Sequence, residues 1–143
     1  RALADRPALA APVRALFGSP AGRRVACALA YASGGARRGA CPPEVLDELF
    51  AHVAGLDPAV LSAAVASYLA HDAWDVLPTI RVPTLILAGD RDQLTPVSTA
   101  ARMQQAIPRS RLVVFPGHSH LVQVEDPAGV HAAIDGFLRE HAL

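Results

Sequence analysis

The 143-residue chain contains no lysine: all thirteen basic side chains are arginines, balanced by thirteen acidic ones. With no net charge and its arginines scattered, the chain lacks the electrostatic footprint of a nucleic-acid binder or of a protein drawn to an anionic membrane. Cysteine is scarce. Cys27 and Cys41 allow one disulfide at most, where a disulfide scaffold uses several, so two reduced thiols are expected. No apolar run reaches the ~18 residues of a membrane span. The opening stretch, RALADRPALAAPVRALF, has charges and prolines where a signal peptide needs an unbroken apolar segment. A soluble, cytoplasmic protein is expected. Arg1 stands where a reading frame would start with methionine, which fits a fragment or a processed product.

What is present is a globular composition, 52% hydrophobic. The length suits one domain with a modest core. The pattern changes near 75–83, with helical material before it and alternating strand and helix after it. A first helix is expected over 21–31, ended by a flexible Ser33-Gly34-Gly35. Pro42-Pro43 opens a second, with Val45, Leu46, Leu49, Phe50 and Val53 on one stripe and Gly55 as its left-handed stop. Asp57-Pro58 starts a third, because aspartate caps free N–H groups and proline at the first turn loses no hydrogen bond. Val60, Leu61, Ala64, Val65, Tyr68 and Leu69 give that helix an apolar face, and Asp72 caps a short turn through Trp74 and Leu77.

Pro78 and Pro83 bracket an extended link. The run TLILA over 84–88 predicts a strand covered on both faces. Thr95-Pro96 caps a helix to Ile107, with Ala100, Met103 and Ile107 inward. RLVVF over 111–115 predicts a second strand, and Asp126-Pro127 caps a final helix whose Val130, Ile134, Phe137 and Leu138 follow a helical period. A strand–helix–strand order with this crossover length favours parallel pairing. The turns after both strands then open at the same sheet edge, the carboxyl end where α/β proteins bind ligands.

Those turns carry proton-handling groups: Asp92 in the first, His118 and His120 in the second. An imidazole, with a reference pKa of ~6.5, can accept a proton near neutrality and return it. A carboxylate bonded to one ring nitrogen fixes the tautomer and stabilises the imidazolium. The pair is the acid–base half of a hydrolase site.

The segment VPTLILAGDRDQLTP resembles a strand–turn of the α/β-hydrolase superfamily, P-T-L-x-x-x-G-x-x-D-x-x-x-P, whose last aspartate is the triad acid. That residue maps to Asp92. GHSHLVQVEDP resembles the later histidine turn, in which glutamate follows the histidine by five residues and proline by seven. From His120 these are Glu125 and Pro127, so His120 is the first choice and His118 the second, although Gly117-His118 imitates another common form of the turn. The resemblance is close over roughly 72–142. It implies an α/β fold: the C-terminal portion of a parallel sheet with flanking helices over 77–143, preceded by a helical cap over 1–76. It implies a Ser-His-Asp hydrolase acting on an ester-like bond in a small apolar substrate, with no cofactor.

The superfamily places its nucleophile on a G-x-S-x-G elbow, and no such sequence occurs here. Ser19 lies in GSPAG and Ser33 in ASGGA, neither after a strand. The chain alone is therefore expected to be inactive and poorly folded, its missing N-terminal core segment being required for a complete site. Two other readings stay open. One is an aspartate nucleophile, as in epoxide hydrolases and dehalogenases. The other is a non-catalytic interaction module with a hydrolase-like fold. His118-x-His120 with Asp92 or Glu125 could ligate a metal, but the pattern is weak and no metal is expected. Glu125 is read as a first-turn residue of the last helix, favoured by its dipole. Asp90 is read as an exposed or loop-stabilising residue and Arg91 as solvated. His52, His71, His131 and His141 are assigned no chemistry, and Tyr68, Trp74 and Met103 are assigned to the core.

Overall fold

The computed structural model describes residues 16–142. Among them are helices α1 (Pro20–Ala32), α2 (Pro43–Gly55) and α3 (Pro58–Ala70), then a 3-10 turn at Leu77–Thr79. Strand β1 (Thr84–Gly89), helix α4 (Val97–Ala106), strand β2 (Ser110–Phe115), a short helix α5 (Val122–Glu125) and helix α6 (Pro127–Glu140) follow. Among the described residues, close contacts group those up to Leu29 with Pro42–Asp72, and Ala30–Cys41 with those from Ala73 onward. No single helix among the described residues is long and apolar enough to cross a membrane.

In the first unit, Phe17 stacks on Phe50 with ring centroids 4.8 Å apart, and Arg23 Nε donates to Asp47 Oδ1 at 2.7 Å. Leu46 is its best-buried large side chain at 2% exposure, but Val45 and Leu49 of the same stripe are exposed. Gly55 does not adopt a left-handed conformation. α2 ends instead because Leu56 and Asp57 are extended, as the residue before Pro58 must avoid helical angles. Asp57 then caps α3 as expected, accepting from Ala59 N at 2.7 Å. The apolar face expected on α3 is not buried: Val60, Val65, Tyr68 and Leu69 are all exposed. Apolar residues occur all round this helix, so no single stripe selects an inward side.

The second unit holds the sheet. β1 and β2 pair in parallel, in register from Thr84 with Ser110 to Gly89 with Phe115. The crossover helix α4 packs on both strands, and α6 packs on β1. Phe115, Val122 and Val130 form a buried cluster against which Leu87, Val113, Ala133 and Ile134 pack. Most of β1 is only half-buried, so the two-sided cover expected for it is incomplete among the described residues, and Val114 of β2 is exposed. Pro78 lies inside the 3-10 turn and not in an extended link.

Two helix starts differ in detail. Asp126 caps α6 by accepting from Gly129 N at 2.9 Å, as expected. Thr95 does not cap α4, because its hydroxyl is committed elsewhere. After α1, Gly34 takes the left-handed conformation (φ 70°), and Gly35 N and Ala36 N bond back to Ala30 O. The Gly-Gly stretch is thus a helix stop, with Gly35 and Ala36 buried.

Candidate active site

Asp92 lies in the turn after β1 and His120 in the turn after β2. The turns meet because the backbone between them is close. A Cβ on Gly89 would lie 2.4 Å from the carbonyl oxygens of both His118 and Ser119, so only glycine fits at the end of β1. Arg91 N donates to His118 O at 2.9 Å, and Gly117 N donates to Asp90 Oδ1 at 2.6 Å. Asp90 is thus exposed and also stitches one turn to the other. Gly117 is left-handed (φ 75°), which lets the chain reverse after Phe115-Pro116.

The Asp92 carboxylate is buried and fully engaged. Oδ1 accepts from Leu94 N at 2.9 Å and from Thr95 N at 2.8 Å, closing its own turn. Oδ2 accepts from the Thr95 hydroxyl at 2.6 Å and meets His120 Nδ1 at 2.9 Å. An ionised carboxylate can only accept, so Nδ1 of His120 carries the proton and a neutral ring leaves Nε2 unprotonated. Burial pushes the Asp92 carboxyl up. The hydroxyl and backbone N–H of Thr95 and the His120 ring outweigh it, and the group is held below the ordinary carboxylate range.

The Asp92 side chain is 7% exposed and that of His120 40%. An open depression of about 250 Å³ adjoins them, lined also by Leu87, Ala88, Val122 and Val130. His118 is arranged differently. Its Nδ1 lies 2.9 Å from Pro116 O and its ring sits edge-on to Phe115, so it serves its own turn. Among the described residues no three His, Cys, Asp or Glu side chains are grouped to hold a metal ion.

Glu125 is not in the first turn of the last helix. It closes α5, and its carboxylate accepts from Ser119 N and Arg37 N, at 2.8 and 2.6 Å, and from the Ser119 hydroxyl. Thr95, Ser119 and Gly89 are positioning residues that sequence reasoning missed. A signal did exist for Thr95, a hydroxyl three residues after the acid, which is the spacing of a side-chain bond within one turn. Cys27 and Cys41 are both buried, and burial, reinforced by Asp47, pushes the Cys27 thiol up.

A family model described as the alpha/beta hydrolase fold matches residues 46–127, more than half of the chain. The chain belongs to this family. Over 63 residues this α/β-hydrolase chain is 38% identical to the pimeloyl-(acyl-carrier protein) methyl ester esterase of Nitrosomonas europaea, covering 44% of itself and 25% of that protein. Over 68 residues it is 37% identical to a non-heme haloperoxidase of Rhodococcus erythropolis, covering 47% and 25%. Among solved structures, a thermophilic esterase from Thermogutta terrifontis superposes with a TM-score of 0.64 at 28% identity. That alignment covers 98% of this chain and 53% of the esterase. The α/β-hydrolase chain thus spans about a quarter of the length of the two curated relatives and about half of the structural one.

Proposed function

We propose that this chain supplies the acid and the base of a hydrolase that cleaves an ester-like bond in a small, apolar substrate. The observation that carries the reading is the 2.9 Å bond from His120 Nδ1 to Asp92 Oδ2, on a carboxylate already fixed by Thr95. The apolar lining beside the ring supports the substrate class, and two of the relatives are named as esterases.

In this mechanism Nε2 of His120 takes the proton of a serine hydroxyl as that oxygen attacks the ester carbonyl. The serine belongs to a core segment of the whole protein outside this chain. Asp92 holds the ring in the right tautomer and stabilises the imidazolium. The imidazolium then protonates the leaving oxygen, and the neutral ring activates a water to release the acid from the acyl-enzyme.

The test uses the full-length protein and short acyl esters. Asp92→Asn and His120→Ala should each lower kcat by about 10³–10⁴-fold, while His118→Ala should turn over near the wild-type rate. Loss of turnover in His118→Ala with retention in His120→Ala would assign the base to the other imidazole.

A further inference from the structure

Another cavity of the sheet-bearing unit is lined by residues of the same two turns. Asp92 and His120 face the depression described above, whereas their neighbours Arg91, Gln93 and Ser119 line a separate cavity of about 370 Å³. The end of α1 and the loop after it complete it with Tyr31, Arg37 and Arg38. The adjacent Arg37 and Arg38 and the distant Arg91 thus line one concave surface. Among the described residues none of the three is in an ion pair. The nearby carboxylates are otherwise employed: Glu125 accepts from Ser119 and from Arg37 N, and Asp90 accepts from Gly117 N. Neither lines the cavity.

The arginine-bearing loop is built. Gly34 lies so close to the first turn that a Cβ there would come 2.9 Å from Arg91 O. Arg37 N is pinned by Glu125. Its carbonyl accepts from Cys41 N at 2.9 Å, and the Tyr31 hydroxyl donates to Cys41 O at 2.8 Å. The Arg38 guanidinium stacks on the Tyr31 ring at 4.8 Å, which orders its plane and leaves its N–H rim free to donate.

From this arrangement we infer that the cavity lined by Arg37, Arg38 and Arg91 is an anion-binding site, separate from the Asp92–His120 pair, for a small ligand carrying a phosphate-type dianion. Three guanidiniums exceed what one carboxylate can pair with. They suit a phosphate monoester, which carries about −1.5 to −2 charge at pH 7 and three acceptor oxygens. Gln93 adds a side-chain amide at the same wall.

The experiment titrates inorganic phosphate into the full-length protein by calorimetry at low ionic strength, with sodium chloride as the matched control. Saturable binding is expected. It should weaken at least tenfold in Arg38→Ala and in Arg91→Ala and stay unchanged in Arg139→Ala, a surface substitution outside the cavity. A second measurement needs no variant: phosphate should protect Arg38 and Arg91 of the wild-type chain from an arginine-specific dicarbonyl reagent, as read by peptide mass spectrometry. No saturable binding, equal loss in Arg139→Ala, or labelling of Arg38 and Arg91 indifferent to phosphate would each overturn the assignment.

Discussion

The carbonyl oxygen of Ser119 lies where a side chain on Gly89 would begin, 2.4 Å from the ideal Cβ position. The end of β1 and the histidine turn are therefore in backbone contact, and neither neighbour is a flexible side chain that could swing away. Gly89→Ala must push the His118–Ser119 peptide off the strand. We expect it to destabilise the protein by about 3 kcal/mol, at the upper end for single substitutions. Urea unfolding of the two proteins measures this, and an unchanged midpoint would show that the turns are not in contact.

Thr95→Val removes the hydroxyl that donates to Asp92 Oδ2 and keeps the shape of the side chain. A buried carboxylate then loses one charge-assisted bond. A loss of about 1–3 kcal/mol is expected, with Thr95→Ser close to wild type. If the two substitutions cost the same, the hydroxyl is not what holds the acid.

The pH dependence follows from the depressed ionisation of Asp92. A carboxyl whose folded pKa lies below its unfolded value stabilises the fold fully above the unfolded value, about 3.9. That contribution disappears as pH falls through the folded value. Comparing urea midpoints from neutral pH into acid, the wild type should lose its advantage over Asp92→Asn only below the ordinary carboxylate range. A gap that is constant across the titration would rule out the assigned hydrogen bonds as its source.

Glu125→Gln probes the second turn. The two carboxylate oxygens serve two backbone donors, Ser119 N on Oε2 and Arg37 N on Oε1. An amide offers one acceptor oxygen, so one of those N–H groups must face an NH₂. A cost of about 1–3 kcal/mol is expected for an unsatisfied donor. Amide hydrogen exchange should accelerate at Ser119 or Arg37, and protection at both sites would refute the account.

How much of this was legible depended on the range of the forces involved. The parallel pair and the meeting of its turns follow from local patterns: two short β-forming runs and a helix between them. Asp92 and His120 come together for that reason, and the substitutions proposed above address their role in turnover. Thr95 and Glu125 were legible only as helix-start residues, because a polar side chain near a helix terminus looks the same whether it serves the helix or a distant neighbour. Burial of the Asp92 carboxylate decides the first case, and the approach of the loop at Arg37 decides the second; neither is written in spacing. The exposed apolar residues of α3 resisted reading because a helix apolar all round names no inward side. The arginine cavity was hidden by sequence distance, since residues 37 and 38 lie more than fifty positions from 91.

The unequal exposure of the paired groups, 7% for the acid and 40% for the ring, makes them unequal chemical targets. Reagents that activate carboxylates find Asp92 shut behind Thr95 and its own turn. Reagents that acylate imidazoles meet an open ring whose outer nitrogen does not face the carboxylate. Any small electrophile entering from solvent therefore reaches the base before it can reach the acid.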